Sequence, residues 1–145
     1  MILTIFKVVW FVSLLAMTGV FIYSYASWPQ EVSFSEVEGG NSIDRGILFY
    51  CCLTLAAIFN ALVFVVTRMR FSGAFAIWFY GLVISFHTFF ISMFIFITIF
   101  NSLEKYDYSK IGPTVYGSLI LLMLWILAWP VYLLVGKFMP QYKAE

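Results

Sequence analysis

The sequence predicts an all-α fold, an integral membrane four-helix bundle with both termini on the cytoplasmic side. Three observations predict it. Of 145 residues, 63% are hydrophobic and only 10% are charged, against roughly 25% charged in a soluble domain. Mean hydropathy is +0.99. The apolar residues fall into four runs, Val8 to Ala26, Gly46 to Thr67, Ala74 to Phe100 and Val115 to Val135. Each reaches the roughly 20 residues, at about 1.5 Å of rise each, that cross the hydrocarbon core. The chain reads as one transmembrane domain over 1–145, with helices near 5–28, 45–68, 73–102 and 112–136.

The first helix ends at Trp28-Pro29, because proline lacks an amide donor and disfavours helix in the residue before it. Lys7 and Ser24-Tyr25-Ala26 also resemble the parts of a cleaved signal segment. The run is long enough to span unaided, which favours retention.

The first loop contains Val32, Phe34 and Val37, expected to rest on the membrane surface, and Gly39-Gly40-Asn41 reads as a turn. Asp44 or Ser42 is placed to cap the second helix, and Ser72 the third, after a connection too short for anything but antiparallel neighbours. The third helix exceeds the bilayer core and is expected to tilt or project. Gly112-Pro113 opens the fourth, Pro130 is expected to kink it, and Gly136 and Pro140 mark its end.

Orientation follows from the basic residues. Lys7, Arg68, Arg70, Lys137 and Lys143 fall on one side, five of the eight in the chain. Arg45, Lys105 and Lys110 share the other side with Glu31, Glu36, Glu38, Asp44, Glu104 and Asp107. The Lys/Arg bias marks the cytoplasmic side. Glu31, Glu36 and Glu38 match no cation-loop spacing and read as surface solvation.

The one histidine, His87, lies about 20 Å along the third span at helical rise. An intramembrane ionisable residue is a functional hypothesis by default, but no span holds a carboxylate to pair with it. Counting depth along the other helices offers Thr18 or Thr54 as hydroxyl partners, whereas Asn60 falls too far toward the cytoplasm for a direct bond. The favoured role is a polar packing residue satisfied by a hydroxyl or carbonyl. Two sharper readings are an axial haem pair of His87 with Met123, and a solute or proton path along a polar face of His87, Ser85, Thr88, Ser92 and Thr54.

Ala57 with Ala61, and Gly81 with Ser85, form small-residue faces suited to close helix packing within the chain. Phe86, Phe89, Phe90, Phe94, Phe96 and Phe100 are expected to face lipid or pack. Trp10, Trp28, Trp78 and Tyr108 read as interfacial anchors, while Trp125 and Trp129 face the bundle or a partner. The adjacent Cys51 and Cys52 cannot pair comfortably on a helix and are expected to be free thiols. No catalytic motif, metal cluster or phosphate loop is present in the sequence, so no catalytic residue, metal or cofactor is assigned.

The segments SWPQEV, DRGILFYCCLTLAAIFN and FNSLEKYDYSKIG, with WPVYLL, resemble a family of small four-span proteins of Bacteroidota, some carrying a topoisomerase label. The resemblance implies an inner-membrane, multi-pass location. It implies no nucleic-acid partner, since no basic face or ATP loop accompanies that label. Pro29, Val32, Gly39 and Asp44 more faintly resemble the first loop of multispan toxin-immunity proteins. The function expected is that of an accessory or scaffold subunit, its partners the lipid bilayer and another integral membrane protein. The alternative is a solute or proton pathway, or an immunity-like protein.

Overall fold

A computed structural model describes residues 1–35, 40–69, 72–102 and 110–138. Glu36, Val37, Glu38, Gly39, Arg70, Glu104, Lys105, Asp107, Tyr108, Pro140 and Lys143 lie outside the described residues. The elements are α1 (Ile2–Ser27), β1 (Glu31–Ser33), β2 (Ser42–Asp44), α2 (Arg45–Arg68), α3 (Gly73–Phe100) and α4 (Gly112–Phe138). All four helices are long and apolar enough to cross a membrane.

Local chemistry sets the helix ends. Asp44 caps α2, its Oδ1 accepting from the amides of Gly46 at 2.8 Å and Ile47 at 3.1 Å, as expected of a carboxylate at a helix N-terminus. Ser72 caps α3 through the amide of Phe75 at 3.2 Å. At the end of α1, the Trp28 amide still reaches Ser24 O at 3.0 Å, and Pro29 then stops the helix. Through Pro130, α4 runs on without a break in its helical assignment.

The helices alternate in direction about α3. His87 meets Ser13 of α1 and Phe94 meets Phe21, so α1 and α3 are parallel. Phe59 stacks on Phe86, and Val63 packs with Val83, so α2 is antiparallel to α3. Ser118 meets Ser92 and Trp129 meets Phe75, so α4 is antiparallel too. The start of α1, the ends of α2 and α4, and therefore Lys7, Arg68 and Lys137, share one end of the bundle.

α3 is the core element. Phe86, Phe90 and Phe94 are buried against α1 and α2, so of the two roles expected for them they take the packing one. A helix apolar on nearly every side carries little periodic mark of its inner face, so composition alone could not identify α3 as central.

Between α1 and α2 the chain forms an antiparallel ribbon, pairing Glu31 with Asp44, Val32 with Ile43 and Ser33 with Ser42. Val32 is fully buried beneath it, not resting on a surface, while Phe34 is exposed. The Trp28 side chain is buried as well and donates from Nε1 to Thr98 Oγ1 at 3.0 Å. It is a core plug, not an interfacial anchor. Arg45 donates from Nη1 to Trp28 O at 3.0 Å and lies 5.0 Å over the Tyr25 ring.

Asn101, just past α3, holds the ribbon down. Its Oδ1 accepts from Ser33 N at 2.7 Å and its Nδ2 donates to Ser33 O at 3.1 Å. The side-chain amide thus mimics a neighbouring strand. Asn101→Ala is expected to cost about 1–2 kcal/mol, two neutral hydrogen bonds' worth, while leaving the helices intact. Amide exchange confined to faster protection loss at residues 31–34 checks this; unchanged exchange there would refute it.

Candidate functional site

His87 is fully buried and sits between two apolar layers. On one side lie Val83, Tyr80 and Val63, and on the other Phe86, Phe90 and Phe59. Four polar groups from α1, α2 and α3 meet in this gap. Trp10 Nε1 lies 3.0 Å from Asn60 Oδ1, and Asn60 Nδ2 lies 3.1 Å from His87 Nε2. His87 Nδ1 lies 2.8 Å from Ser13 Oγ, which donates to Trp10 O at 2.9 Å.

Donor chemistry fixes every proton in this set. An indole N–H only donates, so Asn60 must turn its carbonyl oxygen to Trp10. Its amide nitrogen then faces His87 and can only donate, so Nε2 accepts. A neutral imidazole carries its proton on Nδ1 and donates it to Ser13. The Ser13 hydroxyl, having accepted, donates back to the Trp10 carbonyl. The result is a closed ring in which every bond runs the same way: Trp10 side chain, Asn60, His87, Ser13, Trp10 backbone. Such same-sense bonds polarise one another. The second Asn60 N–H is used too, on Ala56 O at 2.9 Å.

This corrects the partners expected from depth counting. Thr18 and Thr54 are exposed and donate to their own helix at Leu14 O and Tyr50 O. Asn60, set aside as too deep, is a direct ligand of the imidazole. Residue counting locates Cα atoms, but helical side chains lean toward the N-terminus of their helix. On antiparallel helices Asn60 and His87 lean toward each other and close the gap. Trp10, read as an interfacial anchor, is half-buried in the ring.

Neither of the sharper readings of His87 finds its residues assembled around it. Met123 is 55% exposed on α4, and both His87 nitrogens are engaged, so the two cannot share a haem iron. The polar face also comes apart. Ser85 donates to Gly81 O, Thr88 to Ile84 O, and Thr54 lies outside. Ser92 meets Ser118 Oγ at 2.6 Å, bridging α3 to α4 on the side away from His87.

The two small-residue pairs lie differently. Gly81 is buried against Trp125, and a Cβ there would overlap the indole. Trp125 and Trp78 exchange bonds reciprocally: Trp78 Nε1 donates to Trp125 O at 2.8 Å and Trp125 Nε1 to Trp78 O at 2.7 Å. Trp78 is therefore a helix-to-helix clamp. Ala57 and Ala61, by contrast, lie on the exposed face of α2, while Cys52, Ala56, Val63 and Val66 form its buried stripe. A spacing of four does not say which face turns inward. Cys51 is exposed and Cys52 buried, both as free thiols.

The sequence carried a usable signal for the ring that depth counting overrode: Asn60 and His87 are the strongly polar side chains of their spans, and such groups seek each other in apolar surroundings. Comparison with protein-family models, with curated proteins and with solved structures returned no match.

Proposed function

We propose that the chain is a multi-pass protein of a bacterial inner membrane, with both termini cytoplasmic, that serves as an accessory or scaffold subunit of a larger membrane complex. The observation that carries this reading is the closed ring at His87. Its donors and acceptors are spent on one another, so the group best suited to catalysis or proton relay is committed to holding α1, α2 and α3 together. A ring has no end from which a proton or solute could enter. The basic residues Lys7, Arg68 and Lys137 at one end of the bundle support the orientation.

The partner surface belongs on the outward faces. Ser118 is the buried residue of α4, whose other faces are largely exposed, and α2 presents Ala57 and Ala61 outward, where small side chains allow a neighbouring helix to approach closely. Photo-crosslinking residues placed at Ala61 and Leu124 in native membranes are expected to give a discrete protein adduct from one face. Lipid adducts alone from both positions, with a chain that purifies alone and monodisperse in mild detergent, would refute the reading. His87→Ala is expected to lower stability without altering proton or solute flux in vesicles.

A further inference from the structure

α3 is covered on almost every side. Between Phe75 and Phe100 its exposed residues are Thr88 and Ile95, seven apart and so on one face. That strip opens between α1 and α4. Phe6 and Trp125 bring the two outer helices together at one end, with ring centroids 6.4 Å apart. Beside this contact lies an apolar cleft of about 370 Å³, floored by Ile84 and Gly81 and walled by Val9 and Leu121. At the other end of the same α1–α3 seam, α4 no longer contributes, and a second cleft of about 400 Å³ opens. There the lining turns hydroxylic, with Tyr23, Ser24, Ser27 and Thr98.

On α1 the two clefts share a face through Ile5, Val9, Ala16, Tyr23 and Ser27, repeating at helical spacing. With exposed Ala16 and Thr88 between them, they line up along one α1–α3 groove, about 22 Å from Val9 to Ser24 at helical rise. The second, independent observation is at Ser24. Among the described residues its Oγ is the buried side-chain polar atom with no hydrogen-bond partner. Its neighbours Thr18 and Ser27 each donate to a carbonyl four residues back, whereas Ser24 does not. A buried hydroxyl left without a partner costs stability unless something completes it.

We propose that this groove holds one glycerolipid, its ester oxygens at the hydroxylic end as acceptors for Ser24 and its neighbours, and an acyl chain along Ile95, Thr88 and Ile84 toward Trp125. The gradient from hydroxyls to hydrocarbon matches the lipid's own. No charged residue lines either cleft, so the site reads the ester region and chain and does not select an anionic headgroup. The cleft volumes suit a small ligand; a helix with side chains is roughly 10–12 Å across, too broad to enter beside the Phe6–Trp125 contact. The proposal rests on the bilayer placement above.

The test is native mass spectrometry of the full chain, reconstituted into nanodiscs of equal phosphatidylethanolamine and phosphatidylglycerol and released into mild detergent. One lipid is expected to stay bound, of either headgroup in similar amounts. Thr88→Trp, which fills the exposed strip, is expected to abolish retention. Ser24→Ala is expected to reduce it about fivefold, the loss of one neutral hydrogen bond. Ile120→Trp on the outer face of α4 is the control and leaves it unchanged. A wild-type chain that reconstitutes but retains no lipid, equal retention by Thr88→Trp, or retention of phosphatidylglycerol alone would overturn the proposal. A photo-crosslinker at Ile95 that captures protein instead of lipid in native membranes would assign the groove to a partner helix. Failure to enter nanodiscs at all would instead sink the bilayer placement.

Discussion

Asn60→Leu is expected to destabilise the bundle by about 2 kcal/mol, more than an average polar deletion within a span, for which roughly 0.6 kcal/mol is typical. The reason lies in the ring. Leucine keeps the branched shape but strands two groups at once, the Trp10 indole N–H and the His87 Nε2, and an orphaned donor costs about 1–3 kcal/mol. Trp10→Phe in the same chain removes the stranded donor. The double variant is therefore expected to be no less stable than Asn60→Leu alone, although Trp10→Phe by itself costs about 1 kcal/mol. Reversible unfolding in mixed detergent micelles measures all three. Strictly additive costs would show that the groups do not act as a unit.

The same ring makes a spectroscopic prediction. The chain has one histidine, so its imidazole nitrogens can be observed without assignment ambiguity. Nδ1 is expected to report as the protonated, pyrrole-type nitrogen and Nε2 as the bare, pyridine-type one. In Asn60→Leu the constraint on Nε2 is gone and the tautomers are free to mix. The opposite tautomer in the wild type would mean that Asn60 is turned around and the ring is not closed.

How much of this was legible beforehand follows from the physics of apolar helices. The four long helices, the Asp44 and Ser72 caps, the alternating directions and the glycine at Gly81 were all readable. Each leaves a local mark: a run length, a capping side chain, a short connection, a missing Cβ. Facing was not readable. The polar side of a soluble helix declares itself; α3 carries few polar side chains among many phenylalanines, so Phe86 and Phe94 looked no different from outward residues. Ala57 and Ala61 show the same blindness in reverse, since their spacing is identical to that of Gly81 and Ser85.

The ribbon was missed for another reason. Its strands are three residues each, too short for alternation to register, and they exist because Asn101, nearly seventy positions away, supplies part of their hydrogen bonding. For Trp10, Trp28 and Trp78 a rule about span ends gives a depth and no internal role. What decides each case is whether the indole N–H finds an internal acceptor. Asn60, Thr98 and the Trp125 carbonyl are those acceptors, and each comes from a different helix.

The close approach of α3 and α4 rests on a single missing methyl group. Trp125 lies flat against Gly81, and the overlapping atoms belong to the indole, led by Cζ2 and Cε2. The ring cannot swing aside freely, because its Nε1 donates to Trp78 O and the Trp78 indole donates back to Trp125 O. Gly81→Ala therefore pushes α3 and α4 apart and breaks the reciprocal pair with them. Overpacking of this kind costs about 1–3 kcal/mol, and the loss of two buried hydrogen bonds adds roughly 1–2 kcal/mol. Alanine's better helix propensity returns less than about 1 kcal/mol. The net expectation is about 3 kcal/mol, with α4 released first, since it packs chiefly on α3. Trp125→Leu removes the indole atoms that overlap, so in that background Gly81→Ala is expected to cost under about 1 kcal/mol. Thermal unfolding of the four chains in one detergent decides it. An equal cost of Gly81→Ala in both backgrounds would place the constraint on Gly81 somewhere other than Trp125.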